Sequence, residues 1–183
     1  MADSAHAYHL WADVAEHARR HAKGLPAQVD VRHYWSGIGF KLFGHRFIAP
    51  MAEVVEMLDL PHFTALPSVH HWLRGVANVR GRLLPLTDLA GFLGGKLEAA
   101  RRDRRVLVVE HGDIFGGLIV DGVWGIQHFP VDTYVPEMHA PEHPALLPYL
   151  QGSFRPDDGS NWTVFSPWHL LKDEKFSQVS LTG

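Results

Sequence analysis

The sequence predicts a mainly β protein, arranged as small barrels or a sandwich rather than as a parallel α/β sheet. First, about nine short apolar segments, several of them rich in β-branched residues, follow one another along the chain. Second, these segments are joined by short turns that contain Gly, Pro, Asn or Asp. Third, helical patterns are restricted to the two ends and one central position.

Composition excludes several classes of function. At 183 residues, the chain fits one domain or two small subdomains with a common core. Its formal net charge of −3 provides no basic field for nucleic acid or an anionic membrane. Cysteine is absent, which excludes disulfides and thiolate metal sites and fits a reducing compartment. We find no signal-peptide core and no apolar stretch of bilayer length, so we expect a cytoplasmic protein.

The first half of the chain opens with a predicted helix and continues with strands. Tyr8–Lys23 has apolar residues at three- and four-residue spacing, which is typical of an amphipathic helix. Gly37–Phe43 and Arg46–Ala49 predict a hairpin that turns at Gly44. Met51–Leu58 is compatible with a strand or with two helical turns, and its β-branched valines and short length favour the strand.

The central segment, residues 72–94, combines a hairpin with a short helix. Val76–Val79 and Leu83–Thr87 are predicted strands, joined by a tight turn at Arg80-Gly81. Pro85 within the second strand indicates an edge or a bulge. Asp88 is placed to cap the helix that follows, which ends at glycines.

The second half predicts further strands and one long loop. Arg105–Glu110 and Ile114–Asp121 form the clearest hairpin, and Val123–Phe129 continues the sheet. Pro130–Pro148, with five prolines, is predicted to be a long surface loop. The basic run at residues 101–105 is interpreted as a solvated approach to a strand, with a binding patch as the alternative.

The last predicted elements are a hairpin and a helix. Tyr149–Phe154 and Asn161–Phe165 flank a Pro-Asp-Asp-Gly turn. Ser166 is then placed to cap a short helix over Trp168–Lys172.

The residues of the central segment resemble the CheW family of chemotaxis scaffold proteins. The match rests on Arg74–Gly81 (RGVANVRG), Pro85–Leu89 (PLTDL) and Phe92–Gly94 (FLG). It is extended by Val106–Glu110 and by Gly116–Asp121. Within that family, the predicted N-terminal helix and the WSGIGF and VANVRGRLLPL sequences are closer to the adaptors of type IV pilus systems.

This resemblance implies a fold and a division of the chain. The expected CheW-like fold consists of two five-stranded SH3-like β-barrels that share a hydrophobic interface, with an N-terminal helix and short additional helices. We therefore expect an N-terminal helical extension at residues 1–33, a CheW-like domain at residues 34–177 and a tail at residues 178–183.

The resemblance also implies a function. It predicts a non-catalytic adaptor that couples the cytoplasmic tip of a methyl-accepting chemoreceptor to the regulatory domain of a CheA-type histidine kinase. The pathway would control type IV pili and twitching motility, and the adaptor would be recruited to membrane-associated receptor arrays without inserting into the membrane. No cofactor, metal or nucleic acid is expected. An adaptor of flagellar chemotaxis or of another chemosensory system is the alternative.

The family's functional positions map onto particular residues. Arg80 and Glu56 are expected to pair and to order the receptor-facing surface, although Arg80 is also explained by a hairpin tip alone. Val54, with Met51 and Met57 as neighbours, corresponds to the kinase-contacting strand, but core packing is the better explanation for any single one of these residues. Val120 and Val123 lie where the two barrels join and meet the receptor, and there too some burial without partner contact is expected. The motif residues are Arg74, Gly75, Asn78, Gly81, Pro85 and Asp88.

Histidines leave one different function open. The chain has 14 of them, including His17 and His21 on the predicted helix and His128, His139 and His143 near the Pro-rich loop. Neither group has companion carboxylates at firm metal-ligand spacing, so surface histidines with adventitious metal binding are favoured over a His-based metal-binding protein.

Overall fold

The computed structural model describes residues 32–137 and 143–178. The predicted helix Tyr8–Lys23, with His17 and His21, and the loop residue His139 lie outside these ranges. The strands are β1 (Tyr34–Leu42), β2 (His45–Pro50), β3 (Glu56–Asp59), β4 (Leu73–Val79), β5 (Arg82–Asp88), β6 (Arg105–His111), β7 (Ile114–Val120), β8 (Gly122–Pro130), β9 (Tyr134–Val135), β10 (Leu150–Phe154) and β11 (Trp162–Phe165). The α-helices are α1 (Leu89–Phe92), α2 (Pro167–Leu171) and α3 (Glu174–Ser177). Short 3₁₀ helices lie at Met51–Glu53, Arg101–Asp103, Val131–Thr133 and Pro144–Tyr149.

The strands form two sheets. The six-stranded sheet has the order β8-β1-β2-β11-β10-β9, and the five-stranded sheet has the order β3-β6-β7-β5-β4. Most neighbours are antiparallel, but β11 pairs with β2 in parallel, and so does β7 with β5. The five-stranded sheet comes from one continuous stretch of chain, whereas the six-stranded sheet combines β1 and β2 with the last four strands.

Three groups of buried apolar side chains hold these sheets together. Leu84 and Val106 belong to a cluster inside the five-stranded sheet, and Phe129 and Trp162 belong to one inside the six-stranded sheet. The third and largest cluster takes side chains from both sheets. It includes Phe40, Phe47 and Phe165 from the six-stranded sheet and Leu107, Leu118 and Val120 from the five-stranded sheet. The predicted mainly β fold with a shared hydrophobic interface is therefore confirmed.

The tight turns follow the predicted pattern. Phe43 and Gly44 have φ angles of 51° and 73°, and Arg80 and Gly81 have φ angles of 51° and 81°. Two consecutive residues with positive φ are typical of a type I′ hairpin turn, whose twist matches that of the flanking strands. Asn78 Oδ1 also accepts a hydrogen bond from the Gly81 amide at 2.9 Å. Both predicted hairpins are confirmed.

The predicted helix caps are confirmed as well. Asp88 Oδ1 accepts a hydrogen bond from the Gly91 amide at 2.8 Å, at the start of α1. Ser166 Oγ accepts one from the His169 amide, and Pro167 occupies the first position of α2. Each cap satisfies an amide that has no partner within its own helix.

Two predictions about local structure were wrong. Met51–Leu58 is not one strand, because a 3₁₀ helix precedes β3 and buries Glu53 against the C-terminal part of the chain. Pro130–Pro148 is not simply a surface loop. In its described residues it contains two 3₁₀ helices and the strand β9, and Leu146 is fully buried in the shared core.

Pro85 occupies a different place from the predicted edge or bulge. It lies in β5, which is an interior strand between β4 and β7. The pairing of β5 with β7 covers only Leu86–Asp88, so Pro85 pairs with β4 alone, opposite Val76. Proline has no amide hydrogen, and it is tolerated at this position because β7 does not pair with β5 there and needs no donor from it.

Candidate partner-binding surface

The predicted pair of Arg80 and Glu56 is formed. Arg80 Nη2 lies 2.6 Å from Glu56 Oε1. The arginine side chain is 78% exposed and the glutamate side chain 26%. Glu56 begins β3, and Arg80 stands in the turn after β4, so the pair joins the two edge strands of the five-stranded sheet. A contact between opposite edges requires the sheet to curl on itself.

Backbone contacts close the same sheet beside this pair. Thr64, which follows β3, exchanges two backbone hydrogen bonds of 2.9 Å with Val76 of β4. Gly75 has a φ of 145°, and a side chain there would overlap the Thr64 carbonyl oxygen. Glycine at this position therefore permits the close approach that curls the sheet and brings Arg80 to Glu56.

An exposed apolar strip runs along the β3 side of the sheet. Met51, Val55 and Met57 are 43%, 59% and 39% exposed. The Val55 amide donates a hydrogen bond to the Val108 carbonyl at 2.8 Å, which continues the β3–β6 pairing by one residue. Val54, predicted to contact the kinase, is half-buried against the shared core. The residues of this strip that face outward are therefore the neighbours of Val54, not Val54 itself.

A buried carboxylate anchors this strip. Glu53 Oε2 accepts hydrogen bonds from Ser166 Oγ at 2.8 Å and from the Trp168 amide at 2.9 Å. It thus ties the 3₁₀ helix before β3 to the first residues of α2. Sequence reasoning missed Glu53, and the only signal was a glutamate in an otherwise apolar MAEVV run.

The two valines predicted at the junction differ in exposure. Val120 is fully buried in the shared core, so its side chain offers no surface to a partner, which corrects the expectation of a contact there. Val123 of β8 is half-buried against that core. Trp124 and Ile126 on the same strand are each 46% exposed, and sequence reasoning missed them although their two-residue spacing marks an outward face.

The remaining motif residues support the backbone. Arg74 and Asn78 are exposed on β4, and Gly75 and Gly81 adopt positive φ angles. Asp88, described above, caps α1. Gly75, Asn78 and Gly81 thus shape the hairpin that presents Arg80.

His128 and His143, two of the histidines considered as metal ligands, contact Ser36 and Phe43. Ser36 Oγ lies 2.7 Å from His128 Nδ1, across the β1–β8 pair. The His143 ring stacks on Phe43, with ring centroids 3.8 Å apart. Within residues 32–137 and 143–178, no three His, Cys, Asp or Glu side chains are grouped to hold a metal ion.

One titrating pair lines a pocket of about 400 Å³ near α3. Tyr149 Oη donates a hydrogen bond to Asp173 Oδ2 at 2.5 Å. This bond lowers the pKa of Asp173, whereas burial, and then the same bond, raises the pKa of Tyr149. Trp72 and Phe92 form the aromatic side of the pocket.

In the described part of the chain, no helix is both long and apolar enough to cross a bilayer.

The chain is similar to proteins of one known family. The model of the CheW-like domain matches residues 36–175. Protein PilI of Pseudomonas aeruginosa is 50% identical over 181 residues, which cover 99% of this chain and 100% of PilI. The chemotaxis protein CheW of Helicobacter pylori is 29% identical over 103 residues, covering 56% of this chain and 62% of that protein.

A solved structure has the same fold. The scaffolding protein TtCheW from Thermoanaerobacter tengcongensis superimposes with a TM-score of 0.65 at 22% identity, covering 78% of this chain and 96% of that one. This likeness concerns the fold, and it agrees with two sheets around a shared hydrophobic core.

Proposed function

The chain belongs to the CheW-like family, and from that membership we propose that it is a non-catalytic adaptor that couples chemoreceptors to a CheA-type histidine kinase. The observation that carries the proposal furthest is the 50% identity with Protein PilI over nearly the whole chain. We propose accordingly that the pathway controls type IV pili and twitching motility. The adaptor would act in the cytoplasm, at membrane-associated receptor arrays.

The strip of Met51, Val55 and Met57 is the proposed kinase-binding face. These side chains are partly exposed and apolar. Met57 lies on the edge strand β3, Val55 directly precedes that strand, and Met51 lies in the 3₁₀ helix before it. Methionine adapts its shape to a partner, and apolar side chains at a strand edge suit contact with another β domain. Val54 would support this face from behind, through its contact with the shared core.

The proposed receptor-binding face takes residues from both sheets. The Arg80–Glu56 pair holds one part of it, and Val123 with the exposed Trp124 and Ile126 of β8 forms the other. One nitrogen atom of the Arg80 guanidinium group is paired with Glu56, and among the described residues its other donors are available to a partner. A receptor tip that offers apolar and acceptor groups would complement both parts.

Receptor arrays explain why each contact can be weak. An adaptor that binds two partners gains effective concentration from the array, so moderate individual affinities are sufficient. Interfaces of this kind depend on a few apolar and arginine contacts rather than on a deep polar pocket.

Calorimetric titration with the regulatory domain of the cognate pilus-system kinase tests the kinase link. We expect saturable one-to-one binding that Val55→Glu weakens at least about tenfold, because a charge would be buried without a partner. Leu66→Glu, at a residue that is 40% exposed in the loop after β3, is the matched control and should bind like the unmodified protein. Absence of binding by the unmodified protein would contradict the kinase link.

Deletion of the gene tests the pathway. We expect loss of twitching zones with flagellar swimming retained, and restoration by the unmodified gene. Loss of swimming chemotaxis with normal twitching would favour the flagellar alternative.

A further inference from the structure

We propose that Asp121 is a positioning residue that fixes the orientation of the two sheets, and that this orientation sets receptor affinity. The second half of this inference rests on the function proposed above. Asp121 stands between β7 and β8, where the chain passes from the five-stranded to the six-stranded sheet. It is only 4% exposed.

The carboxylate of Asp121 is bonded to both sides of the junction. Oδ1 accepts a hydrogen bond from the Ala99 amide at 2.8 Å, in the segment that leads to β6. Oδ2 accepts one from the Phe43 amide at 3.3 Å, in the β1–β2 turn. The Asp121 amide itself donates to the Lys41 carbonyl at 3.1 Å. One residue thus bonds backbone groups of the β1–β2 hairpin and of the segment that precedes β6, and hydrogen bonds to a charged acceptor are the stronger kind.

Side-chain packing reinforces the same junction. The buried ring of Phe43 lies so close to Gly95 that a side chain at Gly95 would overlap it. The imidazole of His143 stacks on the same ring. Because Gly95 belongs to the segment after α1, the β1–β2 turn is held against the five-stranded side by both bonding and packing.

The two proposed partner faces depend on this junction differently. Within the kinase-binding strip, Val55 and Met57 lie at the edge of the five-stranded sheet, while Met51 lies in the 3₁₀ helix directly after β2. The proposed receptor-binding face takes Arg80 and Glu56 from that sheet and residues of β8 from the other. A change in the angle between the sheets therefore displaces the two halves of the receptor face, whereas Val55 and Met57 of the kinase face keep their places at the edge of one sheet.

The experiment compares Asp121→Asn and Gly95→Ala with matched controls. The first variant replaces an acceptor with an amide, and the second forces the Phe43 ring away without touching Asp121. Asp132→Asn, at an exposed residue, and Gly122→Ala, where a side chain meets open space, are the controls. For both test variants we expect a receptor-tip dissociation constant about tenfold higher, with kinase affinity changed less than about twofold.

Two measurements on the free protein test the junction without a partner. Amide exchange at Phe43 and Ala99 should become about tenfold faster in Asp121→Asn, while that at Val108 and Thr163, inside the sheets, stays unchanged. Because the chain has no cysteine, spin labels on Leu83→Cys and Val131→Cys report the distance between the sheets, whose distribution should broaden.

The outcomes separate the two proposals. Equal loss of both partners, or unchanged exchange and label distances, would overturn the role of Asp121. If amide exchange and label distances change while receptor affinity does not, the orientation of the sheets does not set receptor affinity. That result would overturn the second half of the inference. If the unmodified protein binds neither partner, the proposed function fails, and the exchange and label data still decide whether Asp121 fixes the sheets.

Discussion

Arg80 reaches Glu56 across the seam where the two edges of one curled sheet meet. Glu56 lies on the first strand of that sheet in chain order, and Arg80 lies in the hairpin that leaves the opposite edge strand. Exposed ion pairs contribute only about 0–1 kcal/mol to stability. The value of this pair is geometric, because the planar guanidinium group is held in one direction at a protruding turn.

Replacing Arg80 with Asn should separate binding from folding. Arg80 has a φ of 51°, and an Asn-Gly pair is strongly preferred in a type I′ turn. We therefore expect Arg80→Asn to fold with unfolding free energy equal to that of the unmodified protein or up to about 1 kcal/mol higher. Receptor-tip binding, measured by calorimetry, should nevertheless fall.

Arg82→Ala is the control for this prediction. Arg82 begins the next strand and also forms an ion pair, with its Nη2 3.2 Å from Glu110 Oε1. It should leave receptor binding unchanged. Unfolding of Arg80→Asn at ordinary temperature would mean that Arg80 is structural and would refute its role in binding.

Gly75→Ala should strongly destabilise the five-stranded sheet. The new side chain would overlap the Thr64 carbonyl oxygen and would occupy a φ of 145°. We expect a loss of about 2–4 kcal/mol in denaturant unfolding, from steric overlap together with backbone strain. Gly116→Ala is the control, because a side chain there meets only an ordinary contact at 3.8 Å with the Pro85 carbonyl oxygen. Equal stability of both variants would contradict the close approach at Gly75.

Glu53→Gln should weaken the anchor of the kinase-binding strip. The buried carboxylate accepts both hydrogen bonds at Oε2, and a neutral amide oxygen in its place is a weaker acceptor than a carboxylate oxygen. We expect a loss of about 1–3 kcal/mol in unfolding free energy. A double-mutant cycle with Ser166→Ala measures the coupling, and strictly additive losses would show that the two residues do not act together.

The Tyr149–Asp173 bond should make stability depend on pH. Because the folded pKa of Asp173 is lowered, first by the Tyr149 hydroxyl, its stabilisation is present above the ordinary carboxyl pKa. That stabilisation is lost as the pH falls through the lower folded value. Tyr149→Phe should therefore show a shallower loss of stability below about pH 4 in thermal unfolding.

The alkaline limb gives an independent check on the same pair. Burial raises the pKa of Tyr149, so the folded protein keeps the phenol protonated where the unfolded chain ionises. Stability should therefore fall as the pH rises above about 10. Tyr149→Phe should remove that fall, and an unchanged profile would contradict the assignment.

Local chemistry was predictable, and distant pairing was not. The turns at Gly44 and Gly81 and the cap at Asp88 depend only on residues close by in the sequence, so they could be predicted from it. Glu53 and Asp121 were missed because the hydrogen-bond partners of their side chains lie on other elements, up to 115 and 78 residues away in the sequence. No pattern of spacing records such a contact.

Exposure was harder to predict than strand identity. Val120 and Val123 come from strands that were correctly predicted, yet one is fully buried and the other is half-buried. Both faces of β7 pack against apolar neighbours, since Ile119 belongs to one core and Val120 to another. Alternation in the sequence cannot show which face is outward when neither face is polar. The Arg80–Glu56 pair was anticipated only through the family resemblance.

The order of strands along the chain has a consequence for synthesis. All strands of the five-stranded sheet lie between Glu56 and Asp121, inside the stretch that separates β2 from β8. The six-stranded sheet needs β11, where Thr163 and Val164 pair with Phe47 and Ile48. A growing chain can therefore pair one sheet completely while the hairpin of the other still exposes its apolar face. The six-stranded sheet can therefore be completed only after β11, the last strand, has been synthesised.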